Sequence, residues 1–479
     1  LFFTKEAHVK MLRLMAAGLF LLDLPFMAPA QTENPPLPPP PYASLARDLF
    51  KELIEINTTV DTGCTRAAEA MARRLRSAGF PESDIALVGP APQHKNLVVR
   101  YHGNGRHRPL LLICHLDVVD APREDWSVDP FSFLEHDGYF YGRGTSDIKD
   151  EDADLVSNLL RLRQEGFVPD RDIIVALTED EENGDANGVQ WLLRNRPDLI
   201  DAEFCINPDG GGGESRNGRQ IVFEFQTSEK LYADISFEVR NKGGHSAIPV
   251  SDNAIYHLAA ALSNVEQIKF PVRLNETTRM YFSRIAGQES GRLRSDMLLL
   301  ARQPIDTAAA ERVADALPYY NSLLRTTVVP TRLAAGHANN ALPQRAQAVI
   351  NCRMHPDDSP EFVIATLRSV VRDTAVAITF LEHPSPSPAS PVRRDVFDTT
   401  ERIAHAMWPG VVVTPTLSTG ASDGKYLRAA GMPVYGISGM FLDMDDVRAH
   451  GRDERIGTAE FYRGVEFMYR LLKALTSAS

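Results

Sequence analysis

Cysteine is scarce, with four in 479 residues, too few for a disulfide framework. Cys114 and Cys205 sit inside apolar runs, where a thiol serves as a small core group. No stripe of Lys or Arg is present, and 63 acidic residues against 51 basic ones leave a formal charge of −12. That balance argues against nucleic acid as a partner. No HExxH occurs, which excludes a helix-borne zincin site, and no internal repeat is visible. A composition of 43% hydrophobic and 24% charged residues also excludes disorder and fibre. The length suits about three domains, or two large ones, at roughly 150 residues each.

The first thirty residues stand apart. Lys5, Lys10 and Arg13 precede an apolar stretch from Leu14 to Leu22, and Ala28-Pro29-Ala30 has the small-x-small form of a cleavage site. The stretch is too short for a bilayer core of about 30 Å, and no cysteine follows it to carry a lipid. Residues 1–30 are therefore expected to be a signal peptide, giving export to the periplasm or medium and no stable membrane anchor. Pro35–Pro41, with six prolines in seven positions, is expected to continue a stiff linker over 31–43.

Beyond the linker, helical spacing (Leu45, Leu49, Leu53, Ile56; then Thr65–Ser77) gives way to short apolar strands at Asn96–Tyr101, Leu110–Cys114, Ile173–Leu177 and Phe204–Ile206. Helices are expected between them near Ala153–Gln164 and Ala186–Leu193. This alternation predicts an α/β layer on a mostly parallel sheet. From Leu231 to Arg240 apolar and polar residues alternate strictly, as in an antiparallel sheet with one wet face. A helix at Asn253–Leu262, a strand at Gln347–Cys352 and a helix at Pro360–Val371 continue that style. Strands at Val411–Val413 and Val434–Ile437 and a last helix at Ala459–Leu475 return to the first. The expectation is a discontinuous catalytic domain (44–228 and 385–479) with an inserted α+β domain at 229–384.

Five separated segments end a strand or loop on a metal-ligating side chain. His115 and Asp117 lie two apart, on one face of a strand end, so that one can ligate while the other acts from behind it. Asp147 follows a glycine-bearing turn, Gly142–Ser146, and its two oxygens could bridge two cations. Glu179-Asp180-Glu181-Glu182 follows a buried strand, where four acids are costly unless solvated or neutralised. Asp209 and His450 complete the set. Singly, each has a plain explanation: a strand-end hydrogen bond, a helix cap, a solvated loop.

Together, HLDVV (115–119), GRGTSD (142–147), TEDEENG (178–184), NPDGG (207–211), GGHSAIP (243–249), NALP (340–343) and HGRDE (450–454) resemble the co-catalytic zinc metallopeptidase family. Its members include aminoacylases, acetylornithine deacetylase, succinyl-diaminopimelate desuccinylase and glutamate carboxypeptidases; the carboxypeptidase S and N-acyl-amino-acid hydrolase branch is the nearest in pattern. The resemblance implies two zinc ions about 3.5–4 Å apart, with cobalt or manganese as substitutes. His115 and Asp209 would hold one, Glu182 and His450 the other, and Asp147 would bridge. Asp117 would orient His115, and Glu181 would be the general base that passes a proton from water to the leaving amine. It further implies a homodimer through the inserted (lid) domain, His245 reaching the neighbouring subunit's site to stabilise the oxyanion, and Asn340 and Arg353 holding the substrate carboxylate. The expected substrate is a small peptide or an N-acyl amino acid.

The sequence departs from the family pattern in three places. Acidic residues at 150–152 stand where a glycine or small residue is usual after the lysine, the 419–424 loop is less glycine-rich, and Arg292–Thr327 is longer. Two other readings compete. Gly420-Ala421-Ser422-Asp423-Gly424 fits the GxSxG elbow of serine hydrolases, with Asp443 or Asp445 and then His450 following in order, although Thr414-Pro415-Thr416 interrupts the strand such an elbow needs. A catalytically inactive, metabolite-binding relative is the second, against which stands the presence of every ligand and of Glu181.

Overall fold

The computed structural model describes residues 35–182 and 186–477; the signal-peptide reading falls outside them. Its first helix, Pro40–Ile54, starts with prolines at its first two positions, where no intrahelical N–H is required. The last prolines of the expected linker thus belong to a helix. Among the described residues no helix is long and apolar enough to cross a membrane.

The strands Leu110–His115 and Ile173–Thr178 are buried at every position because helices cover both faces of their sheet. Leu110, Leu112 and Cys114 pack into one apolar cluster with the helices at 40–54, 65–77 and 149–164, while Leu111 and Ile113 pack into another with Val189, Leu192 and Leu427. Six strands make this sheet, in the order 85–91, 94–101, 173–178, 110–115, 204–206, 434–435. Three of its pairings are parallel and two, involving the first two strands, antiparallel. The parallel pairings join strands expected from the βα alternation, whereas 94–101, expected among them, pairs antiparallel on both sides.

A second sheet, in the order 412–418, 219–229, 212–216, 441–443, contains one expected strand, Val411–Val413, which extends to Ser418; its other three strands are not among those expected. The strand Val412–Ser418 runs straight through Thr414-Pro415-Thr416, with Pro415 beside Phe225. The expected interruption does not occur, since this is an edge strand and proline's missing N–H costs no ladder bond there.

The alternating segment Leu231–Arg240 forms the expected antiparallel sheet, in the order 327–335, 345–354, 231–240, 376–380. Ile235, Phe237 and Val239 face the helices 254–266 and 360–371 in a cluster of their own, whereas Tyr232 is exposed. Residues 276–324 behave differently. They form four helices whose core residues Phe282, Val313 and Leu323 pack with Val222 and Leu417 of the second sheet. The segment 229–384 therefore feeds two separate cores.

The helix Lys149–Gln164 begins with Lys149, Asp150, Glu151, Asp152 and Asp154, all buried. Carboxyls suit a helix N-terminus, but burial pushes Asp152 from 3.8 up to about 8 and Glu151 up to about 7. The Lys149 ammonium donates to the carbonyls of Leu53 at 3.0 Å and Ile56 at 2.8 Å. In the fold Asp152 thus keeps a proton that the unfolded chain releases near pH 4. Its stabilising contribution is complete below that pH and is lost as pH rises through about 8. The urea midpoint of the wild-type protein is accordingly expected to fall between pH 6 and pH 9, and to fall measurably less in Asp152→Asn; equal slopes would contradict this.

Candidate metal centre

Three neighbouring parallel strands of the first sheet deliver their C-terminal ends to one edge, the usual place for a site in an open α/β sheet. His115 is the last residue of its strand, Glu181 and Glu182 follow Ile173–Thr178, and Asp209 sits in the short helix Pro208–Gly210 after Phe204–Ile206. Asp147 enters from the turn 142–146. There Gly142 and Gly144 adopt left-handed φ values of 152° and 87°, and a Cβ on Gly142 would lie 2.5 Å from Ile54. His450 arrives on a loop, itself at φ 60°.

Asp147 turns one oxygen to each imidazole: Oδ1 lies 3.3 Å from His115 Nε2, and Oδ2 lies 3.0 Å from His450 Nε2. His450 Nε2 is also 2.8 Å from Glu182 Oε1. Donor atoms of His115, Asp147 and Glu182 all lie within 4.8 Å of one another. Asp209 and Glu181 stand close enough for their charges to act on His115.

Crowded carboxylates set the electrostatics. Burial, with the neighbouring Asp147 and Asp423 opposed by His115, pushes Asp209 up to about 7. Burial and Asp209 push Glu181 well above the carboxylate range. Burial also raises Asp147, but hydrogen bonds from His115 and His450 outweigh it and hold its carboxyl well below its ordinary value. Hydrogen bonds to Asp147 and Glu182 lift His450 to about 10. The protein thus gathers more negative charge than its own groups neutralise. A set of imidazole nitrogens and carboxylate oxygens with that excess fits divalent cations of the zinc class.

The acidic run after Thr178 divides its side chains. Glu179 turns inward to accept from or donate to His94 Nδ1 at 2.9 Å, and burial pushes it up to about 8. The amides of Glu181 and Glu182 both donate to the Asp117 carboxylate, at 3.1 and 3.0 Å. His115 Nδ1 is held by the Asp117 carbonyl oxygen at 3.0 Å, while the carboxylate is 3.6 Å away. Asp117 therefore fixes the imidazole with its backbone and the glutamate loop with its side chain.

Two supporting residues escaped the sequence reading. Glu454, fully buried, accepts from Arg143 at 2.5 Å and from the amides of Ser146 at 2.8 Å and Gly144 at 3.2 Å, so it clamps the turn that aims Asp147. The signal was the last letter of HGRDE. Asp423, buried beneath the glutamates, accepts from Asn187 Nδ2 at 2.6 Å; the sequence reading had it only as a spacer in GxSxG. Ser422 itself donates to Glu229 at 2.9 Å and accepts from Asn207 at 3.1 Å. Its hydroxyl is thus engaged with a carboxylate, and His450 with Asp147 and Glu182.

His245 and Asn340 come together on an exposed two-stranded ribbon. His245 pairs with Ala341, and the amide of Ser246 donates to the Asn340 carbonyl at 3.0 Å. Arg353 lies on the antiparallel sheet with its guanidinium 4.7 Å from the Tyr232 ring centroid. No hydrogen bond or ion pair joins any of these three to the metal-centre residues among the described residues.

Removing Glu454 would leave Arg143, 3% exposed, without its buried counter-charge. Glu454→Ala is expected to lose about 3–5 kcal/mol of stability and to weaken divalent-metal affinity about 10–100-fold, read by chemical denaturation and by competition with a chromogenic chelator. Wild-type values for both would contradict the clamp.

The chain is 29% identical over 371 residues to the N-fatty-acyl-amino acid synthase/hydrolase PM20D1 of Xenopus tropicalis, covering 76% of this chain and 72% of that protein. It is 30% identical over 378 residues to a probable carboxypeptidase S-like 2 of Dictyostelium discoideum, covering 76% and 71%. Its fold matches that of an M20 family metallo-carboxypeptidase from Sulfolobus solfataricus with a TM-score of 0.68 at 18% identity, over 90% of this chain and 99% of that one. Residues 111–474, which carry every proposed ligand, match the model of peptidase family M20/M25/M40, and to that family of metal-dependent peptidases and amidohydrolases the chain belongs.

Proposed function

We propose that this protein hydrolyses an amide bond beside a free carboxylate, in a small peptide or an N-acyl amino acid, with two zinc ions at the centre. The observation that carries this reading is the Asp147 carboxylate, which directs one oxygen to His115 and the other to His450, the arrangement of a bridging ligand. His115 and Asp209 would hold one ion, and Glu182 and His450 the other. When bound, such ions supply Lewis acidity, drawing charge from the scissile carbonyl and from the attacking water.

The chain's own groups do the rest. Glu181 takes the proton of the attacking water and delivers it to the leaving amine nitrogen. Asp117 keeps that carboxylate in place by holding the Glu181 and Glu182 amides. The outer candidates act across a dimer. His245 and Asn340 are exposed at the tip of their ribbon, and the edge strand Thr327–Ala335 leaves Val329 and Leu333 exposed near the helix that exposes Ile255 and Tyr256. A second copy seated there would bring His245 to its neighbour's oxyanion and Asn340 and Arg353 to the substrate carboxylate. Residues 1–30 would direct export, with cleavage near Ala30; the basic, apolar and small-residue order of that segment supports this.

Metal analysis with a substrate panel (dipeptides, N-acetyl and long-chain N-acyl amino acids) tests the mechanism. Two metal ions per chain are expected in both wild type and Glu181→Ala, with kcat reduced about 10²–10⁴-fold in the variant. Unimpaired turnover in Glu181→Ala would sink the assignment. Sedimentation velocity should show a dimer that Leu333→Glu converts to a monomer, with kcat falling alongside; a fully active monomer would reject the shared site.

A further inference from the structure

The metal centre opens into a cavity of about 960 Å³ that carries Asp147 and Asp209 in its wall and reaches as far as the helices 276–285 and 318–324. Its floor is one face of the second sheet. Gly212 lies opposite Glu224, and Glu214 opposite Val222, across an antiparallel pair, so these four share that face. Phe223 and Phe225 occupy the other and are buried in the core. A Cβ on Gly212 would meet nothing nearer than the Met440 carbonyl oxygen at 3.5 Å, which leaves the space over Glu224 open.

Neither carboxylate on this floor is hydrogen-bonded or ion-paired to any described residue. Arg216, whose charge is felt at Glu214, pairs instead with Asp445 at 3.8 Å. Burial raises both groups, and takes Glu224 to about 8 with Glu214 adding to the effect. Opposite them stand Tyr281 and Tyr319, with ring centroids 6.4 Å apart and planes at 75°; the charge of both glutamates reaches both phenols. Tyr320 continues the aromatic wall, 6.2 Å from Tyr319.

A neutral alkyl chain in this space would cover two half-buried carboxyls and leave them without partners, which is costly. An anion would be repelled. A cation on an apolar stem satisfies both glutamates and gains from the tyrosine faces. We infer that Glu214 and Glu224, walled by Tyr281 and Tyr319, form a subsite for an ammonium or guanidinium group at the end of an apolar arm of the substrate. The inference rests on the metal centre being where the amide is cut, since the subsite lies in the cavity that opens from it.

Calorimetric titration of the metal-loaded, full-length protein with hexylammonium and with 1-hexanol tests this without requiring turnover. Wild type is expected to bind hexylammonium at least about tenfold more tightly than hexanol, with the preference reduced in Glu214→Gln and in Glu224→Gln and brought within about twofold in the double variant. Each variant is first checked for an unchanged melting curve, and Gln keeps the side-chain shape while removing the charge. Equal affinities in wild type, or a preference that survives the double substitution, would overturn the subsite. Hexylammonium should also compete with any substrate that is turned over, and inhibition that is not competitive would remove the subsite from this cavity. A calorimetric preference without hydrolysis of any substrate would defeat the hydrolase reading and leave the subsite standing. Hydrolysis without the preference would defeat the subsite alone.

Discussion

Like-charge crowding at one edge of a sheet is the constraint around which this structure is organised. Asp117, Asp147, Glu181, Glu182, Asp209 and Asp423 come within electrostatic reach of one another and, among the described residues, of the His115 and His450 imidazoles and the Lys425 ammonium. Isolated carboxylates brought together out of water repel strongly. The chain tolerates the crowding by fixing each backbone segment independently. Asp117 ties down the glutamate loop, Glu454 ties down the turn before Asp147, and Asn187 holds Asp423. What remains is a cluster of carboxylates and imidazoles held by hydrogen bonds from their neighbours, which suits divalent cations.

The same scaffold explains why the residues gathered at this centre come from such distant parts of the chain. Parallel strands carry all their C-terminal ends to one side, so residues far apart in sequence meet if each follows its own strand. His115, Glu182 and Asp209 do so. Asp147 and His450 come from loops, and both loops meet at Glu454. Beneath this layer, the buried carboxyls at the start of the helix 149–164 are kept largely uncharged by their surroundings. They therefore add little to the charge already present above them.

The residues that meet at the centre were legible in the sequence because His115, Glu182 and Asp209 follow apolar strands, while Asp147 and His450 lie within short recognisable motifs. The central strands were legible because burial on both faces leaves continuous apolar runs. Glu454 was not legible as a clamp, since its partners at 143–146 lie about three hundred residues away and its place at the end of HGRDE does not reveal them. The helices of 276–324 were also obscure, because their apolar stripe packs on the strands 219–229 and 412–418 rather than on their own sequence neighbours. Pro415 misled, since a proline reads as a strand breaker unless the strand is known to lie at an edge.

The clamp between Ser146 and Glu454 spans 308 residues. A polypeptide emerging from the ribosome therefore carries the turn before Asp147 without its clamp, and the centre without His450, until residues 450–454 have been made. Divalent cations thus meet the complete set of candidate ligands only after the chain has been made through residue 454, well after the strands that carry His115, Glu182 and Asp209.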